Sequence, residues 1–336
     1  MPMLTLPHRV APGMCPVNGI RDLVHWRVGR YWTNEFVHGL GQGGGFAYLR
    51  FNMADPPRQV YWGNASPRQH KYLAGLFKAD FLDYEGRSFK FTWNKVLDAL
   101  DEHTPPIIGP LDMFHLPFYP GVYHERHIPI HFLLLVGYDD HDAYALDTGQ
   151  QDIQCISLAE LERAWDVNVP GMGKRNRLAV IKMPDHLDPT SRLIRKAIHD
   201  QCQTMLKPPS SMLGIPAMEK LAREINHWPH ELGDDSTQRS LQQVCEYLNS
   251  PPDSMGNHLT AGRDLYIAFL KQAGEGVALD FSEPITHFQT VLSIIPEIAQ
   301  SLQTNDLISA ADGLKRVAHE EKLAFTSLSK LIAEPA

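Results

Sequence analysis

The 336-residue chain carries 31 Lys and Arg residues against 39 Asp and Glu residues, and its formal net charge at pH 7 is -8. Phosphate binding requires clustered basic residues, and because the basic residues here are scattered, the composition argues against a nucleic-acid-binding protein. Hydrophobic residues at 43% and charged residues at 21% indicate a folded globular protein. The length predicts two domains of ordinary size.

The beginning of the chain, MPMLTLPHRVAPGMC, lacks the charged and apolar regions of an export signal. Nothing later approaches the ~18 consecutive apolar residues of a membrane-spanning helix. We therefore expect a cytoplasmic protein that does not associate with a membrane.

Apolar residues recur at helical spacing from Pro16 to Tyr31, and proline suits the first turn of a helix. This pattern predicts a helix with Cys15 at its N-cap. A second helix is predicted from Trp93 to Leu100. Glycine-rich residues 39–44 lie between a predicted helix and a predicted strand, which is the reverse of a dinucleotide-binding motif.

A buried strand is predicted by the apolar run FLLLVGY, which begins at Phe132. The acidic residues that follow it are typical of a turn, and Ala143 to Asp147 is predicted to be the returning strand. After Ile181 a linker containing Pro and Asp leads into segments of helical period. We therefore predict a mixed first domain over residues 1–184 and an all-helical second domain over residues 185–336.

Four cysteines are present without any C-x-x-C pair, and we expect reduced thiols rather than a disulfide framework. Cys155, Cys202 and Cys245 lie in apolar periodic segments, as core residues do. Cys15 differs, because a thiol at a helix N-cap is stabilised as the thiolate by the helix dipole. The alternative is that Cys15 only fills a tight turn.

His131 and Asp147 supply the partners that a nucleophilic cysteine needs. His131 lies eight residues before Asp139 and Asp147 lies eight residues after it, so a hairpin that turns near Asp139 places them on adjacent strands. This inference tolerates about two residues of slip in the register. We predict Cys15 as nucleophile, His131 as base and Asp147 as the residue that orients the base.

Six stretches resemble landmarks of the butirosin biosynthesis protein H N-terminal family, which is similar to papain-like, peptidase C39-like cysteine enzymes. They are the helix led by Cys15, the N-E-x-x-x-G-L-G-x-G-G-G-F segment from Asn34 to Phe46, LDMFHLPFYP around Asp112, HFLLLVGYDD from His131, DTG from Asp147, and GRDLYIAFL from Gly262. The resemblance implies an α+β class: a papain-like catalytic domain over 1–184 and a helical domain over 185–336.

The resemblance also implies acyl transfer in specialised metabolism, including antibiotic biosynthesis. The expected donor is an acyl-carrier-protein or coenzyme A thioester, and the expected acceptor is a small-molecule amine. A hydrolase with the same triad, acting as peptidase, amidase or thioesterase, remains open, as does a binding protein with an inert Cys15. A homo-oligomer is possible.

Candidate substrate contacts are Glu35, Asp112, His115, Tyr119, Arg263 and Tyr266. A loop containing Asp112, His115 and Tyr119 precedes the predicted catalytic strand and either forms a wall of the site or packs as surface. Glu35 either contacts substrate or bonds the glycine-rich loop or a neighbouring helix. Arg263 and Tyr266 share a helix face, which either binds a carboxylate or phosphate of a pantetheine arm or joins the domains.

A metal site built from His124, His127, His131 and Asp147 is the remaining alternative, since imidazole and carboxylate ligands suit zinc. Pro129 opposes it, because a proline blocks the helix that would align His127 with His131. We therefore expect neither a metal nor a cofactor.

Overall fold

The computed structural model describes residues 3–11, 15–51, 54–63, 66–169, 171–248 and 262–333. The strands are β1 (Phe46–Arg50), β2 (Arg58–Trp62), β3 (Asp80–Tyr84), β4 (Ile107–Leu111), β5 (His131–Tyr138), β6 (Asp142–Leu146), β7 (Gln154–Ser157) and β8 (Leu178–Lys182). The α-helices are α1 (Cys15–Val28), α2 (Asn34–Leu40), α3 (Ser66–Phe77), α4 (Phe89–Asp101), α5 (Leu158–Trp165), α6 (Thr190–Leu206), α7 (Gly214–Glu224), α8 (Trp228–Leu232), α9 (Asp234–Leu248), α10 (Arg263–Val277), α11 (Ser282–Gln303) and α12 (Leu307–Ala333).

The chain divides into two compact units. The first contains residues 1–37 and 65–188, and the second contains residues 38–64 and 189–336. The predicted domain boundary at 184/185 stays a prediction. The chain passes from the first unit to the second between residues 188 and 189, and the second unit also contains residues 38–64.

The first unit is built on an antiparallel sheet of six strands in the order β3-β8-β4-β5-β6-β7. Seven of the eight residues of β5 are buried, as expected for a strand covered on both faces. Helix α1 packs on β4 and β5 through Gly19, where an added Cβ would meet Ile107 at 3.2 Å and Leu134 at 3.4 Å. Alanine at position 19 would therefore require Ile107 or Leu134 to shift by a few tenths of an ångström.

The β5–β6 hairpin confirms the predicted buried strand and its returning partner. Asp139 makes the turn, since its Oδ1 accepts hydrogen bonds from the amides of His141 and Asp142, both at 2.8 Å. Leu135 pairs with Ala145 but Gly137 pairs with Tyr144, so β5 contains one extra residue at this point. This β-bulge sets the register of the strand ends beyond it.

Other local predictions are confirmed with small differences. The predicted helix from Trp93 lies within α4, which Ser88 caps by accepting from the Phe91 amide. Helix α1 ends at Val28 instead of Tyr31, because Gly29 adopts a left-handed conformation with φ +70°. Around the glycine-rich residues the order is helix, turn and strand, as predicted.

The second unit is helical, with one β-hairpin formed by β1 and β2. The hairpin is joined to the helices by hydrogen bonds: the Tyr48 amide donates to the Met212 carbonyl, and Gln243 of α9 bonds both the amide and the carbonyl of Val60. The chain is therefore an α+β protein with a sheet in its N-terminal part and helices in its C-terminal part. Within the described residues, no helix combines the length and apolar character needed to cross a membrane.

Candidate active site

His131 and Asp147 meet at the end of the β5–β6 hairpin. His131 is the first residue of β5, and Asp147 directly follows β6. On this side of the bulge Leu134 pairs with Leu146, so the continued register places Asp147 diagonal to His131 on the same face. Nε2 of His131 hydrogen-bonds Oδ2 of Asp147, and both side chains are buried.

Two further donors hold the Asp147 carboxylate. The Tyr119 hydroxyl donates to Oδ1 at 2.5 Å, and the Gly149 amide donates to the same oxygen at 2.7 Å. Burial alone would raise the pKa of Asp147, but the nearby His131 and these hydrogen bonds outweigh it and hold the pKa below its usual value. Asp147 is therefore arranged to stay ionised beside the imidazole.

Gly149 is required by the same arrangement. An added Cβ at this position would lie 2.9 Å from the Tyr119 hydroxyl oxygen and 3.3 Å from Oδ1 of Asp147. The D-T-G sequence thus supplies both the carboxylate and the small residue that lets Tyr119 reach it. The DTG stretch is one of the sequence landmarks, but the steric role of Gly149 depends on its contact with Tyr119, which lies in a distant loop.

Cys15 is the first residue of α1, and its side chain lies outside the described part of the structure, as does that of Asn18. The packing of the α1 backbone nevertheless shows which strand this helix lies against. Gly19, one turn beyond Cys15, packs against Leu134, three residues beyond His131. The helix led by Cys15 and the strand led by His131 are thus packed against each other in the first unit.

His8 was not predicted from sequence, yet it links α1 to the Asp147 loop. Its Nδ1 lies 2.5 Å from Oδ2 of Asp22 in α1, and its Nε2 lies 3.0 Å from the carbonyl oxygens of both Asp147 and Gln150. Burial would lower the pKa of His8, but Asp22 and the Gln150 carbonyl raise it above the usual value. No periodic pattern marks this segment, so only the folded structure identifies the contact.

The other residues of the predicted loop bind neighbours of their own. Asp112 accepts hydrogen bonds from the Phe114 and Ile128 amides at 3.1 and 2.9 Å and pairs with His127 at 2.6 Å. His115 pairs with Glu160 at 2.9 Å. The structure therefore brings Tyr119 to His131 and Asp147, whereas Asp112 and His115 organise other parts of the first unit.

The remaining predicted contacts lie in α2 and α10. Glu35 is half-buried in the first turn of α2. Arg263 is fully buried and forms a two-pronged ion pair with Glu321 of α12, at 2.7 and 2.9 Å. Tyr266 is buried against the rings of Phe269, Phe288 and Phe325. Arg263 and Tyr266 are thus core residues of the second unit, and their predicted substrate contacts stay predictions.

Two of the three cysteines with described side chains have a thiol pKa above its usual value. Cys202 is buried in α6, and burial raises its pKa to about 12. Cys155 is exposed at the edge of the sheet in β7, so the prediction that it lies in the core is wrong; desolvation together with Asp142 and Asp139 raises its pKa. Cys245 is half-buried in α9. A low thiol pKa is a property of reactive cysteines, so neither Cys155 nor Cys202 competes with Cys15 for that role.

The histidines considered as a metal set are separated. His131 pairs with Asp147, and His127 pairs with Asp112. His124 instead lies beside His115 and Glu160. Among the described residues, His115, His124 and Glu160 bring their ligand atoms together, whereas the set weighed as an alternative from the sequence does not.

Comparison with known families adds two matches. Residues 14–148 match the family described as butirosin biosynthesis protein H, N-terminal, and residues 159–328 match a domain of unknown function, DUF4872, which spans half of the chain. No curated protein matches the sequence. The first match contains Cys15, His131 and Asp147, and the second begins within α5, before the chain enters its helical part.

Proposed function

The chain belongs to the family of butirosin biosynthesis protein H, with an N-terminal domain of that family followed by DUF4872, and from this we propose that it is a cysteine-dependent acyltransferase of specialised metabolism. Cys15 is the proposed nucleophile, His131 the base and Asp147 the residue that orients it. The donor is an acyl-carrier-protein or coenzyme A thioester, and the acceptor is the amine of a small molecule.

One observation carries the proposal: the buried pair of His131 and Asp147 at the end of the hairpin whose strand β5 packs against α1, the helix led by Cys15. A carboxylate on Nε2 fixes the imidazole tautomer and leaves Nδ1 to exchange a proton with a thiol. A helix start favours a thiolate through its unpaired amides and dipole. A nucleophile on a helix and a base on an antiparallel strand also support a papain-like arrangement of residues 1–184.

The reaction follows from these roles. The Cys15 thiolate attacks the thioester carbonyl, the carbon–sulfur bond of the donor breaks, and the carrier thiol leaves with a proton from His131. The amine then attacks the acyl-enzyme, His131 removes a proton from the nitrogen, and the Cys15 thiolate departs. Backbone amides at the beginning of α1 are the proposed donors to the oxyanion. Water in place of the amine would give a hydrolase.

The first test detects the acyl-enzyme. The full-length protein is mixed with acyl-pantetheine and acyl-carrier thioesters without an amine, and adducts are located by peptide mass spectrometry. We expect the adduct on Cys15 in the wild type and in Cys155→Ala, which removes an exposed thiol, and no adduct in Cys15→Ala. Labelling of Cys155 alone, or of no cysteine, would overturn the assignment.

The second arm distinguishes transfer from hydrolysis. The acyl-enzyme is isolated and divided between buffer and a panel of amines, including aminoglycosides and amino acids. Acyltransfer predicts amide products and slow release of free acid, because an enzyme that uses amines must exclude water from the acyl-enzyme. Free acid as the product under every condition would overturn transfer and favour the hydrolase.

A further inference from the structure

A second group of side chains with chemical potential lies in the first unit, separate from His131 and Asp147. Ligand atoms of His115, His124 and Glu160 all lie within 4.8 Å of one another. Nδ1 of His115 is 2.9 Å from Oε2 of Glu160, and Nε2 of His124 is 3.8 Å from the same oxygen. One carboxylate oxygen is therefore the point on which two imidazoles converge.

We propose that His115, His124 and Glu160 bind a divalent transition-metal ion of the zinc type. Two imidazole nitrogens and one carboxylate oxygen are a zinc donor set that leaves a fourth position for water. Ligands ~2.1 Å from a tetrahedral ion lie ~3.4 Å apart, which is between the two distances to Oε2. Small shifts of the His115 and His124 side chains would complete the geometry.

The backbone holds the three ligands in place before any ion binds. His115 ends a 3-10 turn in which the Phe114 amide donates to the Asp112 carboxylate, and the His124 amide donates to the Phe114 carbonyl at 2.9 Å. Glu160 lies in the first turn of α5, where its amide donates to the Ser157 hydroxyl at 3.3 Å. Preorganised ligands lose little conformational freedom on binding, so three of them are sufficient for a useful affinity.

Charge around the cluster is compatible with a cation. The carboxylate of Glu160 supplies negative charge, and its Oε2 faces both imidazoles. Arg163 binds the other carboxylate oxygen, Oε1, at 2.5 Å and is largely exposed, so solvent screens its positive charge. An ion at Oε2 would replace the hydrogen bond from His115.

The site has a consequence for the loop that carries Tyr119. This loop leaves the 3-10 turn at His115 and reaches His124, with Tyr119 between them. An ion bound to both histidines would close the loop and restrain it next to Asp147. The proposal does not depend on acyl transfer, because metal binding is measured without any substrate.

The test is direct metal binding by the full-length protein. Chelator-treated protein is titrated with Zn²⁺ by competition against a chromophoric chelator, and with Co²⁺ by visible absorption. We expect about one ion per chain, and we expect the visible absorption of bound Co²⁺ to have the intensity of a four-coordinate ion. His124→Ala, at an exposed side chain, and Glu160→Gln should each weaken binding by more than the roughly 10- to 100-fold typical of a lost second-sphere partner.

The matched control is His127→Ala, which removes a neighbouring exposed imidazole that pairs with Asp112 instead. It should bind zinc as the wild type does. Equal affinity in the wild type and His124→Ala, or loss of binding in His127→Ala with retention in His124→Ala, would overturn the proposal. Absence of stoichiometric zinc and cobalt binding by the wild type would overturn it as well.

Discussion

The Asp147 carboxylate is ionised in a place where burial opposes charge. It remains so because His131, the Tyr119 hydroxyl and the Gly149 amide all face it. A buried charge with three partners is stabilised, but each partner becomes costly to remove, since an unsatisfied buried group costs about 1–3 kcal/mol. The same network fixes the imidazole through Nε2, so the stability and the proposed chemistry of this residue depend on the same contacts.

Asp147→Asn should change how stability depends on pH. The folded-state pKa of Asp147 lies below its unfolded value of 3.8, so its contribution is present above that value and is lost as pH falls through the folded pKa. In urea unfolding, the difference in free energy between wild type and variant should therefore shrink on acidification from pH 6 to below pH 4. Asp152→Asn, an exposed neighbour, should show no such trend; a constant gap for Asp147→Asn would contradict the expected ionisation.

Tyr119→Phe removes a single donor to the carboxylate. We expect Asp147 to hold His131 less firmly and acyl-enzyme formation to slow by roughly 10-fold, since a hydrogen bond to a charged group is worth about 1.5–3 kcal/mol. Tyr144→Phe is the matched control, because Tyr144 donates to Asp139 at 2.7 Å at the opposite end of the same hairpin. Equal acylation rates in the two variants, measured by quenched-flow mass spectrometry, would remove Tyr119 from the site.

At the scale of elements, the bulge in β5 decides which residues meet. Without the extra residue, the register of Gly137 with Tyr144 would continue and place Asp147 opposite Leu134, on the face away from His131. With it, Asp147 lies opposite Leu133 and shares the face of His131. The Val136 carbonyl at the bulge accepts the Leu4 amide at 2.8 Å, so the N-terminal segment covers the irregularity.

This explains how far the sequence could predict the site. Counting equal distances from Asp139 predicted that His131 and Asp147 lie opposite each other, without a bulge in either strand. The observed register differs from this prediction by two residues. A shift of two residues keeps a side chain on the same face of the sheet, so the two side chains still meet. Apolar runs predicted β5 and the C-terminal helices, since their periods depend on local sequence. His8 was missed because its three partners are 14 to 142 residues away.

His8 joins three elements: the N-terminal segment, α1 and the loop after β6. Both ring nitrogens face acceptors, and a neutral imidazole has only one N–H, so all of these contacts require the imidazolium. Arg21 lies near the same Asp22 carboxylate and opposes this protonation. The link that His8 forms between α1 and the loop that contains Asp147 thus depends on pH.

His8→Gln should therefore destabilise the protein most at low pH. The folded pKa of His8 is above 6.5, so its contribution is fully present below 6.5 and is lost as pH rises through the folded pKa. Urea unfolding should show a cost of about 1–3 kcal/mol near pH 6 that shrinks by pH 9. His141→Gln, at an exposed turn, should cost little at either pH. A cost for His8→Gln that does not vary with pH would show that the imidazole is neutral.

At the scale of the whole molecule, the chain does not complete one unit before starting the other. Residues 38–64, which contain β1 and β2, belong to the second unit together with its helices, and the chain returns to the first unit at residue 65. Sequence periodicity could not predict this, because a short strand looks the same whichever core it joins. Tyr48 illustrates the consequence: its hydroxyl bonds Glu224 and Trp228, more than 170 residues along the chain.

Arg263 joins this segment to the helices, since its guanidinium donates to the Gly45 carbonyl at 3.2 Å as well as to Glu321. Arg263→Met leaves a buried carboxylate and should cost about 3–5 kcal/mol in urea unfolding, whereas Arg263→Met with Glu321→Leu should recover most of that loss. Arg316→Met breaks the exposed pair with Glu297 and should cost under about 1 kcal/mol. If Arg263→Met instead unfolds as the wild type does and only raises the KM for carrier thioesters, Arg263 binds the pantetheine arm and the ion pair is not structural.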